Sequence, residues 1–186
     1  MKACPQTESQ SVLQHGFSVK NYVMDLLHHL EKGTPLKYEW RIPEWLYENK
    51  DLILSNLVEK DSLKLYTIMH DCGKPFCIQI DEEGKRHFPN HAEISYQVFS
   101  EFYDDEVAAQ LILHDMDIHT LKSEGVEEFS KNPYSIALLF SGLAEIHSNA
   151  RMFGGIESTS FKIKWKCLNQ RGKQIINLIK NKNNTK

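Results

Sequence analysis

The chain has 186 residues, is 41% hydrophobic and carries a net charge of -3, enough apolar material for one domain with a real core and too little length for two comfortable ones. No apolar run approaches the roughly 18 residues that would span a bilayer, and the N-terminus lacks a signal-peptide core, so a cytoplasmic protein with no membrane partner is expected. The charge is unevenly placed: residues 1–160 hold all 25 acidic side chains and 14 basic ones, whereas 161–186 hold eight basic and no acidic residues. Such a basic end is either an anion-binding segment or a solvated helix face.

The four cysteines, Cys4, Cys72, Cys77 and Cys167, show no zinc-site spacing and read as reduced thiols. From residue 9 to 31, Val12, Val19, Tyr22, Val23, Leu26, Leu27 and Leu30 recur at helical spacing before Gly33 and Pro35, with His15 on the core side. His28 and His29 stand about four turns, roughly 20 Å, farther along and read as surface or packing residues. A loop with Tyr38 and Trp40 precedes Pro43, which starts a helix from Glu44 to about Val58. Asp61 or Ser62 is then expected to cap a buried helix, Leu63 to Met69, that closes on Gly73 and presents His70 and Asp71 at its end.

Those two residues belong to the run His70-Asp71-Cys72-Gly73-Lys74-Pro75. A neutral imidazole and an ionised carboxylate are both good ligands for a divalent cation, and Lys74 adds a charge that suits a phosphate. Around the glycine turn, 76–88 reads as a two-stranded excursion that must pack on helices. His91 opens a helix through Ile94, Val98 and Phe102, although the helix dipole disfavours histidine in a first turn. Asp104-Asp105-Glu106 starts the next helix, which ends at His114-Asp115.

A polar connection from about Thr120 to Asn132 is followed by an apolar helix, Ile136 to Ala150, opened by Pro133. Its Glu145 sits one turn after Ser141 and Gly142, as a metal ligand with room around it or as the partner of a buried base. Beyond Gly154-Gly155, Phe161, Ile163 and Trp165 alternate with Lys162, Lys164 and Lys166, a pattern that suits a short strand as well as the start of a basic amphipathic helix. In the extended form the three lysines share one side, to bind substrate phosphate, and the apolar residues anchor the other. The Lys/Asn-rich last six residues read as disordered.

The order His15, His70-Asp71, His91, His114 and a later carboxylate resembles the HD-domain metal-dependent phosphohydrolase superfamily over roughly Gln14 to Asn149. The most specific piece, His70-Asp71-Cys72-Gly73-Lys74-Pro75 followed by Phe88-Pro89-Asn90-His91, is similar to the HD domains of tRNA nucleotidyltransferases and their relatives. Gln14-His15-Gly16-Phe17-Ser18-Val19 resembles the family's first-histidine helix, and Leu143-Ala144-Glu145 stands where Ala-Asp is usual. The resemblance implies an all-α, single-domain helical bundle with a short β-hairpin near 76–88, its core at about 9–150 and a basic segment at 158–186. It implies one or two divalent ions, with Mn, Fe, Co, Ni or Zn suited better than Mg to mixed ligands. His15, His70, Asp71 and Glu145 would hold the first, and His91 and His114 would add a second bridged by Asp71. Asp115 or Asp117 could replace Glu145, whose extra methylene departs from the pattern.

Asp71 and Lys74 are the expected catalytic groups, and Lys74, Asn149, Arg151, Lys162, Lys164 and Lys166 the expected contacts to substrate. The implied activity is a phosphodiesterase acting on a nucleotide or cyclic (di)nucleotide, including a phage-type degrader of cyclic-dinucleotide immune signals. Alternatives are a 2',3'-cyclic phosphodiesterase or phosphatase processing RNA ends, with the basic tail on the strand, and a noncatalytic nucleotide or RNA binder.

Overall fold

The structure, a computed structural model, describes residues 1–7 and 10–184. Among the described residues the regular structure is helical except for a two-stranded antiparallel sheet and an isolated bridge between Pro5 and Ser11. It forms two compact units, one of residues 1–20 and 59–116, the other of 21–58 and 117–186. Helix α1, Val12–Lys32, begins in the first unit and ends in the second, as its apolar spacing predicts.

In the second unit, α2 (Glu44–Glu48) and α3 (Lys50–Ser55) replace the single helix expected from 44 to 58. The break is Asn49, with φ -123° and ψ 28°, whose buried side chain donates to the Trp45 carbonyl at 2.7 Å. An asparagine amide that competes for the backbone interrupts a helix that composition alone would continue.

In the first unit, α4 (Lys60–Met69) starts without a side-chain cap: its N-cap residue is Glu59, and Asp61, already inside the first turn, pairs with Lys64 at 2.8 Å. Its buried face carries Leu63, Tyr66 and Thr67. The chain then continues in helical turns through Gly73 into α5 (Lys74–Cys77). The expected excursion shrinks to β1 (Gln79–Ile80) and β2 (Arg86–His87), paired Gln79 to His87 across the Gly84 turn at φ 78°. Asn90, at φ 53°, turns the chain into α6 (His91–Phe102), and asparagine tolerates that left-handed conformation best among residues with a side chain. In α7 (Glu106–Leu113) the Asp105 carboxylate accepts the Ala108 N–H at 2.9 Å, an N-cap the acidic run foretells. Helices α4, α6 and α7 pack together around Leu63, Phe99, Leu111 and Ile112.

The polar connection after Asp115 is itself helical: α8 (Asp117–Thr120), a 3-10 turn at Ser123–Gly125 and α9 (Val126–Phe129), buried through Ile118, Val126 and Phe129. Helix α10 (Ser135–Ser148) is buried along nearly its whole length, and α11 (Thr159–Asn184) packs on it. Because α11 is a helix, 161–166 is no strand, and Lys164 lies about 200° around the axis from Lys162 and Lys166. Phe161 is fully buried and Trp165, four residues on, donates its indole N–H to the Arg41 carbonyl at 2.6 Å, whereas Ile163 is 59% exposed. The helix also runs through residues 181–184, correcting the disordered reading, and residues 185–186 lie outside the described part.

Two buried polar side chains hold the 33–43 loop of the second unit. The Asp25 carboxylate accepts the N–H groups of Lys37 and Tyr38 and the Trp40 indole N–H at 3.0 to 3.3 Å. His147 donates from Nδ1 to the Leu143 carbonyl at 2.7 Å and accepts the Arg41 N–H on Nε2 at 3.0 Å, so the ring is neutral, tilted by 36° against Trp40 and edge-on to Phe161. Burial is the main cause that pushes it down to about 4, against the two backbone contacts, which act the other way.

Between 6.5 and about 4 the unfolded chain therefore binds more protons at this site than the folded one. This contribution is complete above pH 6.5 and drains away as pH falls towards 4. Unfolding free energy should drop by about 2 kcal/mol between pH 7 and pH 4.5 on account of His147. Urea titrations of the native protein and of His147→Gln, which keeps an acceptor for Arg41, isolate that share: the two stability curves should converge by this amount at the lower pH.

Candidate metal centre

The first unit places a carboxylate in its interior and surrounds it. Asp71 is 2% exposed. His15 Nε2 lies 3.7 Å and His70 Nε2 3.3 Å from its Oδ2, His91 Nε2 lies 3.6 Å from its Oδ1, and the Lys74 ammonium donates to Oδ2 at 2.6 Å. Four residues from α1, the α4–α5 turn and the start of α6 thus converge on one carboxylate. The rings of His15 and His70 meet edge to face at 5.1 Å, with ligand nitrogens within 4.8 Å of each other, in a group of side chains able to hold a metal ion.

Two backbone carbonyls orient the imidazoles. Nδ1 of His70 is 2.9 Å from the Thr67 carbonyl, and Nδ1 of His91 is 3.0 Å from the Phe88 carbonyl. A carbonyl only accepts, so each Nδ1 carries the proton, and each ring presents its Nε2 towards Asp71. Burial by itself raises the Asp71 carboxyl, but the His70 ring, the Lys74 ammonium and His15 reverse this and hold it well below the usual carboxylate range.

Glycines make the approach possible. A Cβ at position 16 would stand 2.1 Å from the Ile68 carbonyl oxygen, so Gly16 lets α1 lie against α4 and carries His15 to the turn. Gly73, at φ -79°, is no left-handed helix stop. A Cβ there would stand 2.3 Å from the Ser95 nitrogen, and the Gly73 N–H donates to the Ser95 hydroxyl at 2.8 Å. The neighbouring Cys72 thiol donates to the Ser95 carbonyl at 3.3 Å and is pushed up to about 11, chiefly by burial, which leaves it a packing residue rather than a nucleophile. All four cysteines are free thiols.

The other expected residues belong to α7, α8, α10, α11 and the turns beside them. His114, half-buried, is the C-cap of α7, and the next residue, Asp115, is buried and accepts the Tyr66 hydroxyl at 2.6 Å. Asp117 begins α8. In the second unit the Glu145 carboxylate meets His119 Nε2 at 2.9 Å and the Asn149 amide at 3.5 Å. Arg151 is exposed in a 3-10 turn at Ala150–Phe153. Lys162 pairs with Glu157 at 2.7 Å and Lys164 lies over the Phe153 ring at 5.1 Å, while Lys166 is exposed. The three lysines are therefore not one phosphate-binding row.

Sequence reading passed over Gln6, whose side-chain oxygen accepts from Lys74 at 3.1 Å, and over Ser95, Tyr66 and His119. Nothing in their spacing marks them, because each acquires its role from a residue at least 22 positions away. No family model, curated protein or solved structure matches the chain. Among the described residues no helix is long and apolar enough to cross a membrane.

Both glycine contacts are backbone to backbone and have no flexible side chain to yield. Gly16→Ala and Gly73→Ala should each lower stability by about 2 kcal/mol or more, since overpacking a close contact costs on that order. Thermal unfolding checks this, with Gly155→Ala, which meets nothing within 4 Å, as the strain-only comparison at φ 93°.

Proposed function

We propose that the chain is a metal-dependent phosphohydrolase, a phosphodiesterase acting on a nucleotide or cyclic nucleotide. The observation that carries this reading is the pair of carbonyl-fixed imidazoles, His70 and His91, whose Nε2 atoms face the Asp71 carboxylate at 3.3 and 3.6 Å. With Nδ1 held by a carbonyl, Nε2 is the nitrogen left to ligate a cation, and a cation placed there would meet imidazole nitrogen and carboxylate oxygen together. Three nitrogens and a carboxylate suit a first-row transition ion, and outer carbonyls that fix the ligand tautomer are usual at such sites. The resemblance to HD phosphohydrolases supplies the reaction class, and it is consistent with an all-helical chain.

His15, His70, Asp71 and His91 would hold the ion. By the resemblance, Glu145 would supply the family's last carboxylate, and its contact with His119 is the kind that orients a ligand. A divalent cation bound there supplies Lewis acidity, lowering the pKa of a coordinated water and offsetting charge on a phosphoryl oxygen. The chain's own contribution is to set its ligands in fixed directions and to keep a positive charge, Lys74, beside the carboxylate where a phosphate would bind.

Purified protein should carry one or two transition ions by inductively coupled plasma mass spectrometry. Asp71→Ala should lose them, retain its helical circular dichroism, and hydrolyse cyclic nucleotides at least about 100-fold more slowly, since even outer-shell changes cost 10 to 100-fold. His91→Ala should lower the metal content by about one ion if the site is binuclear. Full metal content with undiminished turnover in Asp71→Ala would overturn the assignment.

A further inference from the structure

The Lys74 ammonium is the one contact of Asp71 that a cation cannot share on equal terms. It is a full positive charge, 2.6 Å from Oδ2, on the same oxygen that His15 and His70 face. Two cations on one buried oxygen repel at short range, and the repulsion is strong where water is excluded. The ammonium has other neighbours. Gln6 Oε1 accepts from it at 3.1 Å, and the Phe88 ring lies beneath it at 5.2 Å from the centroid.

Gln6 is itself held. The bridge between Pro5 and Ser11 and the bond from the Val12 N–H to the Cys4 carbonyl close the N-terminal segment into a loop against the start of α1. Arg86 of β2 donates to the Pro5 carbonyl at 3.3 Å. The amide oxygen is therefore a fixed acceptor for Lys74.

We propose that Lys74 is a resident counter-ion for Asp71 that yields Oδ2 when a divalent cation binds, and that Gln6 is the positioning residue that receives the displaced ammonium. This rests on the reading of Asp71 as a metal ligand. Before the ion arrives, Lys74 keeps a buried carboxylate neutralised. Afterwards the ammonium leans on the Gln6 oxygen and the Phe88 face, still close enough to meet an anionic substrate. The bond to Gln6 then matters more in the metal-bound state than in the metal-free one, because Asp71 no longer neutralises the charge.

The test is binding of Mn²⁺ alone to metal-stripped protein, with free Mn²⁺ counted by electron paramagnetic resonance, for wild type, Gln6→Ala, Lys74→Met and the double variant. Gln6→Met, nearly isosteric, accompanies Gln6→Ala so that a packing defect in the loop is recognised. Removing the oxygen should weaken Mn²⁺ binding about tenfold, and removing the ammonium should tighten it about tenfold, the size of one charge-assisted hydrogen bond or repulsion. In the Lys74→Met background the Gln6 substitution should change nothing.

A purely structural Gln6 would weaken binding equally in both backgrounds, and that result overturns the proposal. So does unchanged affinity in both Gln6 variants, which would mean that Lys74 and the ion share Asp71 without displacement. If wild type and Lys74→Met both fail to bind Mn²⁺, the metal-centre reading itself falls and the proposal falls with it. Binding by wild type that is insensitive to Gln6 refutes the proposal alone.

Discussion

Everything in the first unit answers to one constraint, a carboxylate placed where water does not reach. An ionised group moved into the interior costs several kcal/mol unless opposite charge and hydrogen bonds meet it. Asp71 is met by an ammonium and three imidazoles, and each of those has to be brought to it by a different piece of chain. That requirement explains why α1 touches α4 through a glycine, why the turn after α4 touches α6 through another, and why the Phe88–His91 turn adopts a left-handed residue. The close contacts of the backbone and the chemistry of the centre are one arrangement.

The second unit contains a useful contrast. Asp25 is buried as deeply as a carboxylate needs to be to act structurally, and its oxygens accept from amide and indole N–H groups. Those donors are permanent and neutral, and they tie a loop to a helix. His147 has the same character, one nitrogen donating to a carbonyl and the other accepting from an amide. The neighbours of Asp71 are instead groups with lone pairs or exchangeable charge. A carboxylate whose partners are neutral N–H donors has no further ligand to take, whereas one facing imidazole nitrogens does.

The basic end of the chain illustrates how charge becomes structure. Eight basic residues within 161–186 suggest an anion surface, yet the helix disperses the first three around its axis and gives two of them local partners, Glu157 and Phe153. Exposed pairs of this kind contribute little to stability. What α11 contributes is apolar, through Phe161, Leu168, Ile175 and Ile176, together with the Trp165 bond to the Arg41 carbonyl.

The amino-acid sequence alone determined the helical class, the positions of α1, α6, α7 and α10, and the order of the histidines around the His70-Asp71 pair. These depend on periodicity, capping residues and local motif chemistry, which act over a few positions along the chain. Tertiary structure decided what local rules leave open. Residues 161–166 alternate like a strand but are helical, because Phe161 meets the His147 ring and Trp165 reaches the Arg41 carbonyl, 124 positions earlier, when the two stand four residues apart on one helix face. Gly73 sits where a helix stop would, but its smallness serves a backbone 22 positions away. Gln6, Ser95 and His119 carry no mark of their own in the sequence, because a hydrogen-bond partner is a property of the folded neighbourhood and not of the residue.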